Sequence, residues 1–150
     1  MGRALTTAHL ALDGQDLSLT VLDDLAEVDL GEVAGLLPAE RLARFPLLAQ
    51  ARNSDKFGTI LPGGESYEMA APRAARALQR IHADGPGHVL IVSHEMMGRL
   101  LQMHLLGLTP ARALALVHPQ DTIFRIEAGR LAASVNGGPF QSLPAEQNAS

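Results

Sequence analysis

His88-Val89-Leu90-Ile91-Val92-Ser93-His94-Glu95 decides the fold class of this chain. Val89 to Ser93 read as a buried strand, because a short unbroken apolar run is what a strand covered on both faces needs. Met96 to Leu106 then carries apolar residues at helical spacing and closes on Gly107. His94 stands at the joint. A side chain at the carboxyl end of such a strand faces the crevice where open α/β sheets bind ligands. The first free N–H groups of the following helix favour an anion in the same place. Two readings of His94 follow from the segment alone: a hydrogen-bond donor to a phosphate, or a cap on the turn.

Outward from this segment, helical and strand periodicities alternate. Ala4, Leu5, Ala8 and Leu12 repeat at helical spacing, and Asp13-Gly14 supplies a stop. Leu17, Leu19 and Val21 alternate with polar residues, a strand pattern. Residues 23–37 read as an acidic loop carrying Leu25, Val28 and Leu30. A short helix opens at Pro38 and breaks before Pro46. Residues 51–65 read as a flexible excursion ending in Leu61-Pro62-Gly63-Gly64-Glu65. Ala70, Ala74, Leu78 and Ile81 mark the next helix, started by Ser66, with Pro72 early in it. Thr109-Pro110 caps a short Ala/Leu helix, and residues 122–127 and 131–135 form a hairpin across Ala128-Gly129-Arg130. The expected architecture is one α/β domain over residues 1–143. It is a three-layer sandwich whose mostly parallel sheet contains strands 17–22 and 88–93, flanked by helices 4–12, 68–83 and 96–106. A disordered tail, 144–150, follows.

Composition narrows the function. At 150 residues and 47% hydrophobic, the chain suffices for one core, and no apolar run approaches the length of a membrane span. Residues 1–7 carry one basic side chain and no long apolar block, which excludes a secretory signal there. With no cysteine there is no disulfide and no thiolate chemistry, and a cytoplasmic location is expected. The formal charge of −4 argues against nucleic-acid binding, so an anionic substrate requires a local cluster of Arg and His.

Four segments in order then resemble one family: Arg3-Ala4-Leu5-Thr6-Thr7-Ala8, the acidic loop Leu25 to Gly35, Pro62-Gly63-Gly64-Glu65-Ser66, and Val92-Ser93-His94. They resemble the histidine phosphatase superfamily in its phosphoglycerate-mutase-like branch, over roughly residues 1–135. The resemblance implies a phosphoryl-transfer site in which Arg3 binds phosphate, its planar fork suiting bidentate contact. It makes His94 a second phosphate-binding histidine that stabilises transition-state charge. Glu27 becomes the acid that protonates the leaving alcohol and later activates water. Taken alone, Arg3 also fits a solvated helical arginine, and Glu27 one member of an acidic surface with Asp23, Asp24, Asp29 and Glu32.

The departures are as informative. Members of the family begin with a strand ending in Arg-His-Gly, whose histidine becomes phosphorylated. This sequence contains no such segment, and the family's first strand, first helix and second strand have no counterpart in it. The covalent route is therefore closed to these residues alone, and the chain is expected to be inactive or impaired. Glu95 stands where the family commonly has glycine, and it repels a phosphate unless it turns away or pairs with Arg99. Glu95, Arg99 and His118 are the further candidates for the pocket. His94-Glu95 with His104 misses the zinc-protease spacing, so no metal is implied, and no cofactor either. His9, His82 and His88 read as solvated. The expected partner is a small phosphorylated substrate, with self-association through the exposed sheet edge left by the absent strand. Two alternatives stand beside a phosphatase: a non-catalytic phosphate- or partner-binding remnant, and a phosphoglycerate-mutase-type isomerase.

Overall fold

The computed structural model describes residues 2–85 and 87–143; the tail expected at 144–150 lies outside them. Ser66 opens the longest helix, α4 (Tyr67–Ala83), with its hydroxyl accepting the Met69 N–H at 3.1 Å. That bond fills one of the donors a helix start leaves unpaired. Pro72 falls early in α4 and does not end it. α5 (Glu95–Leu106) follows His94 and stops at Gly107, whose φ of 64° is cheap only for glycine. Ala70, Ala74 and Leu78 of α4 share a core with Met97, Leu100, Leu101 and Met103 of α5, joined by Val28, Tyr67, Leu108 and Ala113.

The remaining helices among the described residues are α1 (Gly2–Leu12), α2 (Pro38–Arg44), α3 (Leu48–Ser54) and α6 (Pro110–Ala115), with 3-10 turns at Asp23–Leu25 and Gly31–Val33. Strands β1 (Thr122–Glu127) and β2 (Arg130–Val135) form the expected hairpin, pairing Glu127 with Arg130. Its two-residue turn takes positive φ at both Ala128 (48°) and Gly129 (72°), as the twist of a tight hairpin requires. A short β3 (Gln141–Ser142) pairs antiparallel with β2.

Two expectations differ from what the described residues show. Residues 17–22 and 88–93 form no ladder, and the one sheet among the described residues is the antiparallel β1-β2-β3. The described residues show no parallel ladder. The pattern of a segment reports which faces it is suited to bury, not whether a neighbour is there to pair with it. Leu17, Leu19, Val21, Val89 and Leu90 are all exposed. Residues 51–65, in turn, are no free excursion. α3 runs through Ser54, and Leu48 and Leu61 form a second small core with Val33.

The segment after α3 is tied down by backbone contact between two loops. Glu32 N–H donates to the Pro62 carbonyl and Glu65 N–H to the Asp29 carbonyl, each at 2.8 Å. A Cβ on Gly64 would collide with the Asp29 carbonyl, and one on Gly31 with the Pro62 carbonyl. The glycines of both motifs thus let two backbones touch. Gly64→Ala is expected to cost roughly 1–3 kcal/mol of unfolding free energy by urea titration. Gly87→Ala, with nothing within 4 Å of its added Cβ, should stay within about 0.5 kcal/mol of the parent.

Candidate active site

The amino end of α5 is closed by a carboxylate from a distant loop. Glu27 Oε1 accepts the Val28 and Met97 N–H groups at 3.0 Å each, and Oε2 accepts Met96 N–H at 3.4 Å. Met96 and Met97 lie in the first turn of α5, where N–H groups have no partner within the helix. His94 precedes that turn but makes no side-chain cap. The turn-cap reading of His94 is thereby corrected: Glu27 fills that role, and the half-buried ring has no hydrogen-bond partner among the described residues. Ser93 Oγ donates to the Leu25 carbonyl at 2.8 Å, tying the approach to His94 onto the approach to Glu27. The structure so brings Glu27 and His94 to one helix end. Arg3 sits exposed on α1, where Thr7 donates to its carbonyl at 3.1 Å, and no bond joins its guanidinium to either.

Glu95 is exposed, and Arg99 takes up its charge. The Arg99 side chain, 12% exposed, reaches Glu95 Oε1 at 2.7 Å. It also donates to the Tyr67 hydroxyl and the Leu116 carbonyl, each at 2.9 Å. Burial pushes the Tyr67 hydroxyl up, and the bond from Arg99 acts against it. Lys56 is lowered by burial first and then by Arg99 and Arg52, with Glu95 opposing. Arg52 is lowered too, again chiefly by burial. Cationic groups that destabilise one another mark this flank as positive despite the acidic chain. Sequence reasoning missed Arg52, Lys56 and Tyr67: Lys56 and Tyr67 feel Glu95, Arg99 and Arg52 only once the chain has folded.

His118 lies over α5 beyond that first turn. A Cβ on Gly98 would meet its ring at 3.1 Å, and the ring packs against Phe124 with centroids 5.2 Å apart. Gln102 Nε2 stands 3.1 Å from His118 Nε2. Nδ1 and Gln102 Oε1 are both buried without a partner. No bond joins His118 to Glu27 or His94. An open cleft of about 470 Å³ beside His82 and His104 includes none of the candidate residues. Among the described residues no group of three or more His, Asp or Glu is placed to hold a metal, and no helix is long and apolar enough to cross a membrane.

With this geometry established, known proteins can be compared. The profile of the histidine phosphatase superfamily (branch 1) matches residues 1–135. The chain belongs to that superfamily. In sequence it is similar to the bifunctional protein Rv2228c of Mycobacterium tuberculosis, 40% identical over 93 residues, which are 61% of this chain and 25% of that protein. It is also similar to the 6-phosphofructo-2-kinase/fructose-2,6-bisphosphatase of Caenorhabditis elegans, 33% identical over 96 residues, 64% of this chain and 20% of that one. The chain thus spans a quarter or less of these curated relatives. In fold it is similar to the α-ribazole phosphatase of Shigella flexneri, with a TM-score of 0.69, 23% identity, and 89% and 62% of the two chains covered. The mycobacterial glucosyl-3-phosphoglycerate phosphatase Rv2419c, solved with inorganic phosphate, gives a TM-score of 0.67 at 25% identity, covering 99% of this chain and 73% of its own. The α/β fold is similar to that of phosphoglycerate-mutase-like phosphatases.

Burial chiefly, with Arg99 adding and Glu95 opposing, holds the His118 imidazole below its ordinary value of 6.5. As pH falls past that value, the unfolded chain takes up this proton before the folded one does. Stability is therefore lost below it and not above it. The urea midpoint is expected to fall between about pH 7.5 and about pH 5.5, and His118→Gln to make that fall shallower.

Proposed function

We propose that this chain contributes the acid and the charge-stabilising histidine of a phosphatase site for small phosphorylated metabolites. The observation that carries the reading is that the Glu27 carboxylate caps the amino end of α5, the helix that His94 immediately precedes. Membership of the histidine phosphatase superfamily supports it, as do phosphatases of similar fold. In this reading His94 donates to the phosphoryl oxygens where charge develops, and Arg3 and the positive flank around Arg99 draw the anion in. A nucleophilic histidine nitrogen forms a bond to phosphorus as the P–O ester bond breaks, and Glu27 gives its proton to the departing alkoxide. Water then attacks the phosphohistidine, Glu27 takes the water's proton, and inorganic phosphate leaves.

That nucleophile is not one of the six histidines here, none of which lies in an Arg-His-Gly segment. The finer fold proposal goes with it: residues 17–22 and 88–93 carry strand patterns and, given a segment to pair with, would lie in a mostly parallel sheet. The family's first strand, first helix and second strand have no counterpart in these 150 residues. The missing nucleophile equally favours a second reading, a phosphate-binding module without turnover.

Assay of p-nitrophenyl phosphate should show negligible turnover by the chain as it stands. Fusing an Arg-His-Gly-bearing amino-terminal segment from a relative should raise turnover by about 10⁴-fold or more, and Glu27→Gln or His94→Ala should then lower it again. Turnover at ordinary enzyme rates by the unmodified chain, abolished by His94→Ala, would overturn this account. The exposed Leu17, Leu19, Val21, Val89 and Leu90 on unpaired segments also support self-association through those segments. Sedimentation should show mass rising with concentration, and a strict monomer throughout would remove that proposal.

A further inference from the structure

Arg73 lies within α4, outside every motif of the family resemblance, yet its guanidinium places all five of its N–H donors on partners around Glu27. Nη1 donates to the Asp24 carbonyl at 3.1 Å and to the Ala26 carbonyl at 2.6 Å. Nη2 donates to the Glu27 carbonyl and to Glu65 Oε2, each at 2.9 Å, and Nε to Glu65 Oε1 at 3.4 Å. The Arg73 side chain is 14% exposed, so these bonds are shielded from competing water. Glu65 completes the enclosure: Oε2 also accepts the Asp29 N–H at 2.9 Å, and its own N–H bonds the Asp29 carbonyl. Carbonyls at Asp24, Ala26 and Glu27 and the N–H of Asp29 are thus held from one ion pair, on both sides of the Glu27 side chain.

We infer that Arg73 and Glu65 are positioning residues for Glu27: the pair fixes the backbone of residues 24–29 so that the Glu27 carboxylate is presented at the amino end of α5. The functional weight of this rests on the phosphatase reading, in which Glu27 is the proton donor; the geometry does not. A lysine at position 73 would keep the charge but lose the planar fork that reaches three carbonyls and a carboxylate together. Glu65 is itself held below the usual carboxylate range, first by the bond from Arg73, so the pair persists at the neutral pH where the site would work.

The test is amide hydrogen exchange by NMR on the full chain. Val28 and Met97, whose N–H groups Glu27 accepts, are the reporters; Leu101 and Met103, deeper in α5, are the internal reference. Arg73→Met should speed exchange at the reporters by about tenfold relative to the reference, the scale of a lost helix cap. Arg73→Lys should fall between. In a Glu27→Ala background, Arg73→Met should add nothing at Met97, a non-additivity that a merely structural arginine would not produce. Glu65→Gln, which spares the carbonyl contacts, should shift the reporters the same way and serves if Arg73→Met does not fold. Unchanged reporters, or equal acceleration of reporters and reference, would overturn the inference. Inorganic phosphate, titrated while the His94 ring signals are followed, separates the two claims. No response at His94 beside intact reporter coupling sinks the phosphatase reading alone; a response beside absent coupling sinks the positioning role alone.

Discussion

Arg73 and Glu65 form the contact on which the described arrangement depends, because between them they answer four backbone groups of the acidic loop. Residues 24–29 form no ladder; Val28 is buried in the main core and Leu25 packs against it. A loop of that kind leaves backbone carbonyls to be satisfied, and one guanidinium in a part-buried setting answers three of them at once. Its counter-charge arrives from the Pro-Gly-Gly-Glu-Ser segment, which reaches the acidic loop only because Gly31 and Gly64 lack side chains. Two sequence motifs that look independent are therefore the two sides of one clamp, with α4 as its base.

A second ionic contact organises the other flank of the same helix end. Arg99 joins α5 to α4 through Tyr67 and to the segment before β1 through the Leu116 carbonyl, while holding Glu95. Phe57 stacks on Tyr67 with ring centroids 6.2 Å apart, which brings the turn bearing Lys56 to the same place. The carboxylate that looked hostile to phosphate in the sequence is thus engaged, and the surplus charge nearby is positive.

The sequence made the helices legible because each has its own start or stop. Ser66, Pro38, Pro110 and Gly107 bound helices within a residue or two of expectation, since capping chemistry is local. Strands are not local. Residues 17–22 and 88–93 have the right patterns, but a strand exists only when another pairs with it, and no described residue does. Within the candidate site, the neighbourhood of His94 and Glu27 was readable from the motifs. Arg73 was not, because its importance lies in carbonyls contributed by residues 24, 26 and 27, and backbone oxygens leave no mark in a sequence. α3 escaped notice for a related reason: Leu48 is its one buried residue, too little to impose a period.

The position of Glu27 makes one carboxylate the joint between two elements. As the cap of α5 it must offer lone pairs to Val28, Met96 and Met97. Those three N–H groups belong to two elements, the acidic loop and the first turn of α5, so one carboxylate registers the position of each against the other. A ligand that accepts N–H bonds at that helix end has to compete with Glu27 for Met96 and Met97. An anion arriving there would therefore be felt by the acidic loop through a single side chain.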